Sequence, residues 1–291
     1  MSGRYAVQNL ISERNLEIHF MPIVRLQNGS RGSSWRSVAF EALVRGPAKH
    51  SLRSPAQLFS AAMKAGVRQE LELLCVDSAL QHRSQLPEGT RLFLNVGLGT
   101  FQSRGFMDLI LNHPPEEESP RTVVEVLEDE VPESRSFRER VGQLEGLGYD
   151  VALDDLTVDG NTLRRLIEAG PVRYWKLDRS VMRQWAQERG WVRNWLPMVT
   201  QTAKQMGIGV VLEGIENPDL CHLPALCDAG VTLGQGFVFG KPAILGPGLS
   251  RWRQGFYDML KVEDRGNAPV LEPVTLDGGL RKLLHRVGHW I

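Results

Sequence analysis

Residues 150–178 read DVALDDLTVDGNTLRRLIEAGPVRYWKLD. The apolar run 150–154 closes on two carboxylates, Asp154 and Asp155. A helix is expected near 161–168, and a second apolar run, 173–178, closes on Asp178. Strand, helix and strand in so short a stretch make a parallel βαβ unit. The same alternation runs outward in both directions. Upstream, strand 122–127 precedes a helix at 133–147, where Phe137, Val141, Leu144 and Leu147 share one face. Strand 91–96 precedes a helix near 100–112. Downstream, a long helix near 191–206 turns Val192, Leu196, Val199, Ala203 and Met206 inward. It is followed by strand 208–213, a helix at 218–228 and a strand-like stretch at 231–239.

At the start, strands 17–24 and 37–44 flank QNGSRGSSWRS, a Gly/Ser-rich loop, and form a hairpin. Two helices follow, 55–65 and 69–83. Ser54-Pro55 is a helix start with proline in the first turn, and Leu71, Leu74, Val76, Ala79 and Leu80 recur at helical spacing. About eight strands in some 240 residues suit a closed (β/α)8, TIM-like barrel. A doubly wound open sheet would space the polar strand ends less evenly, and no GxGxxG follows the first strand. The alternation stops after Pro242. The expected division is therefore a barrel over 1–245 and a C-terminal helical extension over 246–291. The extension carries a stripe of Leu249, Trp252, Phe256, Met259 and Leu260, and a tail, GGLRKLLHRVGHWI. The expectation is that it docks on the barrel; the alternative is a helix for a protein partner or a membrane surface.

Composition narrows the ligand class. The 291 residues include 34 basic and 34 acidic side chains, so no overall field favours long nucleic acids or anionic membranes. A small anion bound at a local site remains compatible. Cys75, Cys221 and Cys227 include no CxxC pair and read as free thiols of a reducing cytoplasm. Cys221, His222 and Cys227 lack a fourth zinc ligand at the usual spacing. No run of about 18 apolar residues exists to span a membrane, and the N-terminus is not a signal peptide.

The acidic residues carry the functional signal. Glu41 interrupts SVAFEALVRG, Asn95 closes RLFLN, Glu125 interrupts TVVEV and Glu213 closes GIGVVLE. Each has a bland reading: Glu41 pairs with Arg45 on the same strand face, and the others cap turns. Asp154 and Asp155 repel each other, and a cation removes that penalty. Asp155 as a helix cap is the alternative, but Asp159 or Asn161 is better placed for that role. Lys176 lies inside a strand, either paired with Asp178 or orienting or deprotonating a water. Glu213 and Glu216 stand three apart just past a strand, and Gln235-Gly236 follows the last one. Such groups converging at one end of a parallel barrel would make a divalent-metal site.

These pieces occur in the order of a known family. FMPIV (20–24), FEALVRG (40–46), FLNVG (93–97), VEVLEDE (124–130), LDDL (153–156), WKLDRSV (175–181), LEGIEN (212–217) and GQGFVFGKP (234–242) together resemble the EAL domains, a family of cyclic di-GMP phosphodiesterases. The resemblance covers about residues 16–243. It implies a barrel whose first strand runs antiparallel to the rest, and cleavage of cyclic di-GMP to linear pGpG. It further implies Glu41, Asn95, Glu125, Asp154, Asp155 and Glu213 as ligands of two Mg²⁺ or Mn²⁺ ions. Lys176, with Glu41 and Glu216, is then catalytic. Arg45, Gln235 and Asp178 meet the substrate, and Glu128 holds the loop after the paired aspartates. Two departures stand out. Met21 replaces a glutamine, and the family's DDFGTG reads Asp154-Asp155-Leu156-Thr157-Val158-Asp159, without either glycine. In the family that loop lies near a dimer interface, so a homodimer is an expected partner state. Two readings follow: an active phosphodiesterase, or a receptor that binds cyclic di-GMP and signals through a partner. An unrelated barrel lyase is a third.

Overall fold

The computed structural model describes residues 3–29, 32–115, 120–127, 135–158, 170 and 172–245. The strands are β1 (Glu17–Gly29), β2 (Gly32–Arg45), β3 (Arg91–Asn95), β4 (Arg121–Leu127), β5 (Asp150–Leu156), β6 (Tyr174–Leu177), β7 (Gly209–Leu212), β8 (Leu233–Gly234) and β9 (Ala243–Ile244). Neighbours run β2-β3-β4-β5-β6-β7-β8-β1, and β1 pairs back with β2, which closes the barrel. From β2 to β8 every pairing is parallel, whereas β1 is antiparallel to both β2 and β8. The expected barrel with an inverted first strand is what the chain forms.

Strand parity decides what the barrel holds. Side chains alternate faces along a strand, so residues two apart look the same way. One packed interior layer consists of Ile23, Ala39, Phe93, Val123, Ala152, Tyr174, Val211 and Leu233. Phe93 and Tyr174 meet edge-on there, with centroids 5.1 Å apart. Two residues further toward the mouth, parity places Met21, Glu41, Asn95, Glu125, Asp154, Lys176, Glu213 and Gln235 in the next layer. The apolar layer is the floor, and the polar layer is the site.

The helices cover the outside. α1 (Gly3–Ser12) buries Val7 and Leu10, and was not anticipated. α2 (Pro55–Ala65) starts at Ser54, whose hydroxyl accepts from the Gln57 N–H, and ends at Gly66 with φ 75°. α3 (Arg68–Gln81) buries Leu71, Leu74, Val76, Ala79 and Leu80, as its spacing predicts. The expected helix near 100–112 is two, α4 (Leu98–Phe101) and α5 (Arg104–Leu111), because Ser103 caps a new start through the Phe106 N–H. α6 (Arg135–Gly146) buries Phe137, Val141 and Leu144. α7 (Arg179–Ala186) was not anticipated. α8 (Gly190–Met206) buries Val192, Leu196, Val199 and Ala203, whereas Met206, expected to face inward, is 43% exposed at the last position before the Gly207 cap. The segment expected as a helix at 218–228 is a 3-10 turn, Asn217–His222, followed by α9 (Leu223–Asp228). The expected helix at 161–168 and the extension 246–291 lie outside the described residues.

Two strand expectations need correction. Within QNGSRGSSWRS the described residues are strand rather than loop: β1 and β2 continue pairing out to Gly29 and Gly32. The stretch 231–239 is a strand only at Leu233–Gly234, and at Gly236 the chain passes close against the Ile215 backbone. It returns to β1 as β9, where Ala243 faces Phe20. Among the described residues, no helix is long and apolar enough to cross a membrane.

Candidate active site

The ring at the barrel mouth is one connected network. Glu41 on β2 accepts from Asn95 Nδ2 at 2.7 Å through Oε1 and from Gln235 Nε2 at 2.7 Å through Oε2. Its expected partner, Arg45, instead donates from Nη1 to the Val44 carbonyl at 2.8 Å. The strand-face pairing therefore does not form: amides from neighbouring β3 and from the end of β8 take both carboxylate oxygens.

Lys176 occupies the centre. Its ammonium lies 2.7 Å from Glu213 Oε1, 2.8 Å from Glu125 Oε1, 3.1 Å from Asp154 Oδ1 and 3.8 Å from Glu41 Oε2. The contacts to Glu125 and Asp154 are ionic without hydrogen-bond alignment, and Glu125 Oε2 has no partner among the described residues. Asp178 is not the lysine's partner. It caps α7, accepting from the Ser180 N–H at 2.8 Å, and lies close enough to Asp155 to push that carboxyl upward.

The charges do not balance. Lys176 is 1% exposed and Glu125 is 1% exposed, and four carboxylates crowd a single ammonium. Burial pushes Glu125 well above the usual carboxylate range, and Glu41 and Asp154 add to the rise. Burial likewise brings Glu213 up to about 7, reinforced by Asp154 and Glu41 against the pull of Lys176. For Lys176 burial favours the neutral amine, but Asp154, Glu125, Glu213 and Glu41 outweigh it and hold the group well above 10.5. The lysine is thus a fixed cation at neutral pH, suited to orient a water rather than deprotonate it.

Asp154, Asp155 and Glu213 each offer an oxygen within 4.8 Å of the other two. Asp155 holds φ 59°, a left-handed conformation that aspartate tolerates better than most residues. Burial and the charge of Asp154 raise its carboxyl. Glu41 and Glu125 also border Lys176, and Asn95 is joined to Glu41. The donors are all oxygen, their charge is in excess, and Glu125 presents an orphaned buried oxygen. Such a set fits hard divalent cations.

The other expected residues are placed as follows. Arg45 ends β2 beside Arg53, and burial with that second guanidinium lowers its pKa. Glu216 opens the turn after β7, where its N–H donates to Asp219 Oδ2 at 2.8 Å. Gln235 is 3% exposed, and its Oε1 has no hydrogen-bond partner among the described residues. Met21 faces Glu41 in the β1–β2 register and is buried. Glu128 lies outside the described residues. Sequence reasoning passed over Glu72, a buried acid on an outer helix, whose one signal is Arg68 four positions earlier.

Comparison with known proteins agrees with the geometry. The EAL domain pattern matches residues 4–242. A probable cyclic di-GMP phosphodiesterase, PdeB of Escherichia coli strain K12, is 26% identical over 262 residues, 87% of this chain and 47% of that protein. The chain thus spans about half the length of that relative. The FimX EAL domain of Xanthomonas citri in complex with c-diGMP superposes with a TM-score of 0.71 at 17% identity, over 84% of this chain and 94% of that one. The phosphodiesterase PaMucR in its c-di-GMP complex gives 0.66 at 23% identity, over 84% and 98%. At these identities the structural likeness is one of fold.

Proposed function

The chain belongs to the EAL domain family, and from that premise we propose that it binds cyclic di-GMP and hydrolyses one phosphodiester bond to give linear pGpG. Its setting on this reading is the cytoplasm, where it lowers the second-messenger level. The observation that carries the proposal is the single polar layer above the apolar floor. Glu41, Asn95, Glu125, Asp154, Lys176, Glu213 and Gln235 share one barrel mouth, each two residues beyond a member of the apolar layer.

Glu41, Asn95, Glu125, Asp154, Asp155 and Glu213 would hold two Mg²⁺ or Mn²⁺ ions, which when bound neutralise phosphate charge and make water a competent nucleophile at neutral pH. The remaining groups work on water and substrate. Lys176 donates from Nζ to the attacking water and fixes its line of approach. Arg45, at the end of β2, pairs with a phosphate oxygen of the substrate. Gln235 holds Glu41 in orientation and keeps its own Oε1 for the site. Asp178 follows β6 and Glu216 follows β7, both at the end of the barrel where the site lies.

The test is incubation of purified protein with cyclic di-GMP and Mn²⁺, with pGpG as the product read. Glu41→Ala removes the acceptor that Asn95 and Gln235 share, and turnover is expected to be lost. A full rate in that variant would exclude the role given to Glu41. A second reading, a receptor that binds without turnover, has its own observation in Met21. That residue faces Glu41 without a hydrogen-bonding side chain. Measurable cyclic di-GMP binding with no pGpG formed would favour it.

A further inference from the structure

Glu72 lies on α3, outside the barrel wall, at 4% exposure. Its Oε1 accepts from Arg68 Nε at 2.7 Å and its Oε2 accepts from the Gly97 N–H at 3.1 Å. Gly97 stands two residues after Asn95, where β3 gives way to α4. Between them, the Val96 N–H donates to the Glu125 carbonyl at 3.0 Å. A Cβ on Gly97 would lie 2.8 Å from Arg68 Nη2 and 2.9 Å from Glu72 Oε1, so the turn sits directly on the ion pair.

An apolar residue at position 72 would bury in this place without the desolvation cost of a carboxylate. What the carboxylate adds is directional: an acceptor aimed at one backbone N–H, itself oriented by the Arg68 fork. We propose that Glu72 is a positioning residue for Asn95. Acting through the Gly97 N–H, it sets the height and angle at which β3 ends. Asn95 Nδ2 then meets Glu41 Oε1 at 2.7 Å and the Asn95 side-chain oxygen is left to the site. The inference rests on the reading above that Asn95 and Glu41 help to hold a divalent cation.

The experiment is a calorimetric Mn²⁺ titration of the substrate-free protein. It compares wild type, Glu72→Ala, Glu72→Gln, Asn95→Ala and the double variant Glu72→Ala/Asn95→Ala. Removing a group that orients a metal ligand weakens metal binding by about 10-fold or more, and that loss is expected for Glu72→Ala. Glu72→Gln keeps an acceptor for the Gly97 N–H only by turning its amide N–H₂ toward Arg68, so an intermediate loss is expected. Because Glu72 acts through Asn95, the double variant should bind no more weakly than Asn95→Ala. A purely structural role would not produce that equality. Unchanged Mn²⁺ affinity in the Glu72 variants overturns the inference, as does a double variant whose loss is the product of the two single losses. Should Glu72→Ala fail to fold, Glu72→Gln alone and combined with Asn95→Ala carries the same comparison. A wild-type protein that binds no Mn²⁺ overturns the metal reading itself, and this inference with it.

Discussion

At the residue scale the site turns on Lys176. One ammonium among Glu41, Glu125, Asp154 and Glu213 offsets part of their repulsion and is itself held charged by them. Removing one partner of a buried ion pair leaves the other uncompensated, at a cost of about 3–5 kcal/mol. Lys176→Met is therefore expected to lose stability in EDTA at pH 8. It should lose less at pH 5, where the raised carboxyls Glu125 and Glu213 take up protons instead. Denaturant unfolding at the two pH values checks this, and an equal loss at both would contradict the charge argument. Turnover should fall by a factor of about 10² or more, the usual contribution of a positioned proton-transfer or water-orienting group. Much of this was legible in the sequence, because a polar side chain at the tip of an apolar run is costly and therefore purposeful. The pairing was not legible. Asn95 and Gln235 reach Glu41 from 54 and 194 residues away, the first through the β2–β3 pairing and the second through barrel closure.

At the element scale β4 to β7 and the helices α6 and α8 were readable from strong periodicity, whereas α7 was missed and β8 ends earlier than its sequence suggests. β8 ends after two residues although apolar sequence continues past it. At Gly236 a Cβ would lie 1.8 Å from the Ile215 carbonyl oxygen, a contact no side chain survives without backbone movement. Nearby, Gly214 holds φ 70° against Arg179, so the turn after β7 and the turn after β8 are packed as a pair. Gly236→Ala should push these turns apart, lower stability by about 1–3 kcal/mol as overpacking does, and weaken cyclic di-GMP binding by displacing Gln235. Gly99→Ala is the matched control, since a Cβ there meets nothing within 4 Å. Thermal melts and ligand titration of both variants check the pair, and equal behaviour would remove the crowding argument. The loop after β5 carries a further lesson. The missing family glycines directed attention to Thr157, yet the described left-handed residue there is Asp155. The strain sits on the carboxylate next to Asp154, where β5 and β6 also slip register between Leu153 and Leu156. No glycine count could have located it.

At the scale of the whole molecule, the mouth is a store of unbalanced charge whose cost depends on pH and on cations. Glu125 and Glu213 have folded-state pKa values above the ordinary 4.5, Glu213 at about 7, so in that interval the folded chain binds more protons than the unfolded one. Stability of the metal-free protein must then fall as pH rises from about 4.5 through 7. Lys176, itself raised, adds a further fall only above its ordinary 10.5, outside the interval. Glu17, held low by hydrogen bonds from Arg53 and His19, adds an acid-side loss below 4.5. A cation that replaces those protons should reverse the trend. At 100 times its dissociation constant a ligand adds about 2.7 kcal/mol, which for a chain of this size is a rise of roughly 5–10 °C in Tm. Mn²⁺ should give that rise at pH 8 and a clearly smaller one at pH 5, where protons compete for the same oxygens. Thermal melts in EDTA and in excess Mn²⁺ at both pH values decide it. A Tm gain equal at the two pH values would place the ion away from Glu125 and Glu213. No gain at either would leave the crowded carboxylates to Lys176 alone.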